Sequence, residues 1–62
     1  MTDISLGPAV CIMESKQAIR VKTDEHGTMW IPKSQISDDS EVYSLGDQGN
    51  LVVSEWWAEL NV

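Results

Sequence analysis

One cysteine, Cys11, and one histidine, His26, stand in a chain of 62 residues, and that scarcity limits the fold more than any other feature. A disulfide needs a second cysteine, and a structural zinc site needs four ligands from the Cys/His set, so neither staple is available. Chains this short usually depend on one, because a core of this size supplies only ~3–5 kcal/mol net. Apolar packing must therefore carry the fold, with Trp30, Trp56 and Trp57 as its largest contributors. Dimerisation is a second source, and a monomer or weak homodimer is expected. A lone thiol fits a reducing compartment, so a cytoplasmic location is expected. The opening "MTDISLGPAVCIM" has neither a basic leader nor a long apolar run, so no signal peptide is expected. No stretch approaches the ~20 apolar residues of a membrane span.

The periodicity predicts strands. "AIRVKT" alternates, Ile19 and Val21 on one face and Arg20 and Lys22 on the other. "DEHG" follows as a four-residue hairpin loop in which Gly27 takes the positive φ. "TMWIP" returns, with Met29 and Ile31 inward, Trp30 and Pro32 outward, and Pro32 marking an edge or a bend. "AVCIM" (9–13) reads as a strand buried on both faces, preceded by a flexible arm over 1–7 that Pro8 ends. "KSQISDDS" is a polar connection anchored by Ile36. "EVYSL" reads as a fourth strand, "GDQGN" as a turn and "LVV" (51–53) as a fifth strand. Ser54 then caps a short helix, "EWWAEL", with Glu55 in its first turn. Trp57 and Leu60, three apart, are expected on one helix face and Trp56 on another. The fold class is mainly β, one domain over 1–62. A small bent antiparallel sheet, or a partly open SH3-like or OB-like barrel of about five short strands, carries a short C-terminal helix. A three-stranded sheet backed by that helix is the alternative.

A search for chemistry finds little. Asp38, Asp39 and Glu41 form the densest polar cluster, but "DDSE" lacks the alternating ligands, glycine and terminal Glu of a calcium loop. No metal or other cofactor is expected. His26 reads as a solvated hairpin residue, Cys11 as a buried inert thiol, and "GDQG" has no lysine to make a phosphate loop. No catalytic residues emerge, and the chain is read as non-enzymatic.

Charge is the remaining signal. Ten acids against four bases give a net charge of −6, and the whole excess falls after Lys33, the last base. Asp38, Asp39, Glu41, Asp47, Glu55 and Glu59 follow it unopposed. Such a field repels phosphates and anionic membranes and attracts basic protein surfaces; solubility alone is the plainer account. Adjacent tryptophans on one short helix cannot share a core, so Trp56 reads either as rim cover or as an exposed anchor for a partner. Stacking on single-stranded bases needs a positive track that Glu55 and Glu59 deny it. "KQAIRVK" offers Lys16, Arg20 and Lys22, too few bases for strong phosphate binding.

The segments "AIRVKTDEHGTMWIPKSQI" and "GDQGNLVVSEWWAEL" resemble a loose group of short phage and prophage proteins. Those share an alternating strand, a "WIPKSQ"-like segment, a glycine turn, a strand and an aromatic-rich terminal helix. The resemblance implies a mobile element inside a bacterial cell and brings no site residues; the ending "AELNV" departs from a more basic pattern. Small acidic phage proteins, anti-CRISPR proteins among them, are similar in general character. The functional expectation is an inhibitor that presents a nucleic-acid-like surface to a host protein with a basic nucleic-acid-binding groove, without itself binding nucleic acid. Its partner-binding residues would be Asp38, Asp39, Glu41, Asp47, Glu55, Glu59 and Trp56. The alternative is an accessory adaptor or single-strand-binding module in phage replication or recombination.

Overall fold

The computed structural model describes residues 2–61. Four strands, β1 (Asp3–Glu14), β2 (Ala18–Thr23), β3 (Gly27–Pro32) and β4 (Gln48–Ser54), precede a C-terminal helix, α1 (Glu55–Asn61), and a 3-10 turn occupies Lys33–Gln35. The strands make one antiparallel sheet in the order β3-β2-β1-β4. The mainly β architecture with a terminal helix is as expected, but the strands number four, not five.

The expected hairpin is β2–β3. Thr23 lies opposite Gly27, so the loop has three residues, not four, and Gly27 takes φ +72°. Thr23 is buried because its hydroxyl serves the turn: it accepts from His26 N–H at 2.8 Å and donates to Gly27 C=O at 2.9 Å. Ile31 faces the core with Met29 half-buried, while Trp30 and Pro32 face out. As Pro32 foretold, β3 is an edge strand.

β1 corrects three expectations. The segment read as an arm is the start of this strand: residues 3–7 are paired with β4, and Met1 lies outside the described residues. Pro8 does not end an arm but sits within the strand opposite Asn50. Asn50 turns both its N–H and its C=O away from β1, toward Glu41, so the position opposite it needs no donor and proline fits. "AVCIM" is buried on one face only: Ala9 and Cys11 point inward, while Ile12 and Met13 are exposed.

β1 pairs with β4 through its first part and with β2 through its second. Two register shifts, between Ser5 and Gly7 and between Cys11 and Met13, bend it between the two partners. The other edge of the sheet is reached differently. From Pro32 the chain passes through the 3-10 turn, and Ile36 already bridges to Val53 on β4. One continuous stretch therefore pairs with β2 at its start and with the outer edge of β4 at its end, which curls the sheet toward a barrel.

The core is Leu6, Ala9, Cys11, Ile19, Val21, Ile31, Ile36, Val42, Leu51, Val53, Trp57 and Ala58. Ile36 anchors the connection as expected. "EVYSL" buries Val42 completely but is not a strand. Side chains take its backbone donors instead: Ser40 Oγ accepts from Val42 N–H, and Asp47 Oδ2 accepts from Tyr43 and Ser44 N–H. Such local side-chain bonds compete with ladder pairing.

Glu14 closes the far end of β1. One carboxylate oxygen accepts from Lys33 Nζ at 2.7 Å and the other from Leu45 N–H at 3.1 Å. The Lys33 hydrogen bond, then that of Leu45, hold its carboxyl below its ordinary range. A carboxyl lowered in the folded state stabilises the fold above its unfolded pKa, and that contribution fades as pH falls through the folded value. Glu14→Gln is expected to flatten the acid side of the stability–pH curve below about pH 4.5. Urea midpoints measured from pH 6 to pH 3 check this; parallel curves for both proteins would contradict it.

Candidate functional site

Residues 36–41 build the outer edge of β4 and bring Asp38, Asp39 and Glu41 to it. Ser37 N–H donates to Val52 C=O and Glu41 N–H to Asn50 C=O. In return Val52 N–H donates to Ser40 Oγ at 3.1 Å and Asn50 N–H to Glu41 Oε1 at 2.8 Å. The edge is thus covered partly by backbone and partly by side chains. A turn closed by Ser40 N–H to Ser37 C=O lifts Asp38 and Asp39 out at its tip, both exposed.

These pairings set the order of the acids along the strand. Asp47 precedes β4, Glu41 stands at Asn50, Asp38 and Asp39 stand near Val52, and Glu55 follows Ser54. Asp3 lies across β4 from this edge, on β1 opposite Ser54, and its Oδ2 accepts from Ser37 Oγ at 2.7 Å. Glu55 faces the β1 side instead, its N–H donating to Thr2 C=O. Glu59 lies one helical turn beyond Glu55.

The acids are not equivalent. Asp47 holds the 43–44 backbone and Glu41 holds the β4 edge, so both belong to the fold as well as to the surface. Glu41 also passes close over Gly49, where a Cβ would stand 2.9 Å from Oε1 and 3.0 Å from the Glu41 Cβ. Asp38, Asp39 and Glu59 make no side-chain hydrogen bond among the described residues. The bases lie elsewhere: Lys16 before β2, Arg20 and Lys22 on β2, and Lys33 bound to Glu14.

At one end of the row stands α1. Ser54 Oγ accepts from Trp57 N–H at 3.2 Å, the expected cap, and donates to Gln35 Oε1 at 2.6 Å. The cap thereby fixes the helix to the 3-10 turn. Trp57 is buried and Trp56 is 59% exposed. Leu60 does not accompany Trp57 into the core as expected; it is 65% exposed and, four residues from Trp56, continues that exposed ridge.

The remaining reactive groups are quiet. Cys11 is buried with its thiol donating to Met13 C=O, and burial pushes its pKa up, away from the reactive thiolate. His26 sits at the hairpin loop, 4.0 Å from Glu25. Among the described residues no three His, Cys, Asp or Glu side chains converge as a metal site. Asp3 and Leu60 are the site residues that sequence reasoning missed. Asp3 sits in the charge-balanced half of the chain and reaches the 36–41 segment only through its hydrogen bond from Ser37, which no local pattern reveals.

Removing the Ser40 hydroxyl strands two backbone N–H groups, those of Val42 and Val52, a loss of roughly 1–3 kcal/mol. Ser40→Ala should therefore lower the urea midpoint markedly, whereas Asp38→Asn with Asp39→Asn should leave it almost unchanged. Equal effects would mean that the edge is not held as described. No family model, curated protein or solved structure matches the chain, so its function is read from this geometry.

Proposed function

We propose that the chain is a non-catalytic binding protein that occupies a basic, nucleic-acid-binding groove on a host protein by presenting its acidic edge in place of phosphates. One observation supports the reading: residues 36–41 cover the outer edge of β4 and carry Asp38, Asp39 and Glu41 there, with all four bases on other elements. A one-signed row held by backbone pairing is preorganised, and a Lys/Arg-lined groove is its electrostatic complement. Trp56 and Leu60 at the end of the row supply an apolar anchor that slows release, as exposed aromatics do at interface centres. The resemblance to short phage proteins points to host defence machinery, of the kind anti-CRISPR proteins block, as the class of partner.

The test is competitive. Tagged protein incubated with bacterial cytoplasm should retain nucleic-acid-binding proteins that duplex DNA or RNA displaces and that salt elutes. Asp38→Asn, Asp39→Asn and Glu59→Gln together, which leave the fold's own hydrogen bonds intact, should weaken that retention tenfold or more, as expected for several lost charges at about 1 kcal/mol each. Retention of the same proteins with unchanged salt elution would remove the mimic mechanism.

A second reading has an observation of its own. On the outward face of the hairpin Arg20 lies opposite Trp30, and Lys22 opposite Thr28, an aromatic beside two cations that fits single-strand binding better than the acidic helix around Trp56 does. Tryptophan fluorescence titrated with an oligonucleotide at low salt separates the two. Saturable quenching that weakens with salt and is lost in Trp30→Phe supports this adaptor reading; a flat titration supports the mimic.

A further inference from the structure

The two edges of the sheet are treated in opposite ways. The β4 edge is covered by residues 36–41 and lined with carboxylates. The β3 edge has neither. Lys33 N–H donates to Gln17 C=O at 2.8 Å beside the pair Ala18–Pro32, which sets the alternation of the β2–β3 ladder. Ile31 and Met29 turn their backbone groups to β2, while Thr28, Trp30 and Pro32 turn theirs outward. Among the described residues nothing hydrogen-bonds the outward groups of Thr28 and Trp30. No charged residue lies within "GTMWIP", and Thr28 and Trp30 are exposed. Monomeric proteins usually blunt such an edge with charge, proline, cover or a bulge, and of these β3 has only Pro32, at its end.

We propose that β3 pairs antiparallel with β3 of a second copy of this chain, joining two sheets through this edge. The strand fits itself in one register. With Met29 opposite Met29 on the two-fold axis, Thr28 of each copy lies opposite Trp30 of the other. The four outward N–H and C=O pairs of those residues are then all satisfied. Pro32, which has no N–H to offer, falls just beyond the ladder. Trp30, 46% exposed, comes within diagonal reach of its counterpart on the outer face. The carboxylates of the β4 edge take no part, so both acidic edges stay open. This inference does not rest on what those edges bind.

Sedimentation equilibrium from micromolar to millimolar concentration should show a monomer of 6.9 kDa passing into a dimer. Thr28→Pro removes an N–H that the monomer's ladder does not use, and with it two of the four intermolecular bonds, so dimerisation should weaken about tenfold or more. Hydrogen exchange followed by NMR tests the wild type without any substitution: the Thr28 and Trp30 amides should exchange fast in dilute solution and slow as concentration rises. A monomer throughout the range overturns the proposal. So does a dimer in which those two amides stay fast at every concentration, since it would use another surface.

Discussion

Three residues, Lys33–Gln35, decide the shape of this molecule. They carry the chain from β3, at one edge of the sheet, to Ile36 against β4, at the other. Four residue steps reach at most ~14 Å even when fully extended, and a 3-10 turn covers about 2 Å per residue. Crossing past a flat four-stranded sheet takes ~19 Å at about 4.8 Å per strand. The sheet has to curl. The bends in β1 beside Leu6 and Ile12 allow that curl, and the glycine at position 7, at φ +83°, sits where the first bend needs it. A core with a single cysteine, and so no internal disulfide, is thereby wrapped by a chain that has little to wrap with.

The acidic edge follows from the same closure. Residues 36–41 cannot make a full ladder with β4, so Ser40 and Glu41 side chains complete the hydrogen bonding that backbone alone leaves open. The Glu41 carboxylate accepts from the Asn50 N–H, so one of the acids at this edge is there as part of the fold's own hydrogen bonding. Asp38 and Asp39 have no such duty: their carboxylates make no hydrogen bond among the described residues, and both stand exposed at the tip of the turn.

What was legible in the sequence was local. The hairpin, with its alternation and glycine, is built by neighbours in the chain. The Ser54 cap and the Ile36 anchor also follow from short-range chemistry. The larger departures are nonlocal or involve side chains replacing backbone; the hairpin loop length and the face of Leu60 are local ones. Residues 3–7 carry no strong strand pattern and become a strand because β4 arrives beside them. "EVYSL" has strand composition but loses its ladder to Ser40 and Asp47. The charge asymmetry at Lys33 is visible in the sequence, but which acids reach the β4 edge depends on the pairing of residues 36–41 with that strand. Trp57 was placed correctly in the core, while Leu60 followed Trp56 because a four-residue step keeps closer to one face than a three-residue step.

The three tryptophans show how little of this surface the fold itself demands. Trp57 packs under the helix, but Trp30 and Trp56 are left about half exposed. Covering the remaining area is worth roughly 2–3 kcal/mol per ring at about 25 cal/mol per Å², a large fraction of the ~3–5 kcal/mol that a chain of this size can hold. A sequence under selection for folding alone gains by turning one of these rings inward or replacing it with a polar residue. Both instead lie at the boundaries of the structure, Trp30 on the uncharged edge and Trp56 at the end of the acidic one. The apolar area of these two rings is thus the part of the molecular surface that folding leaves uncovered and does not account for.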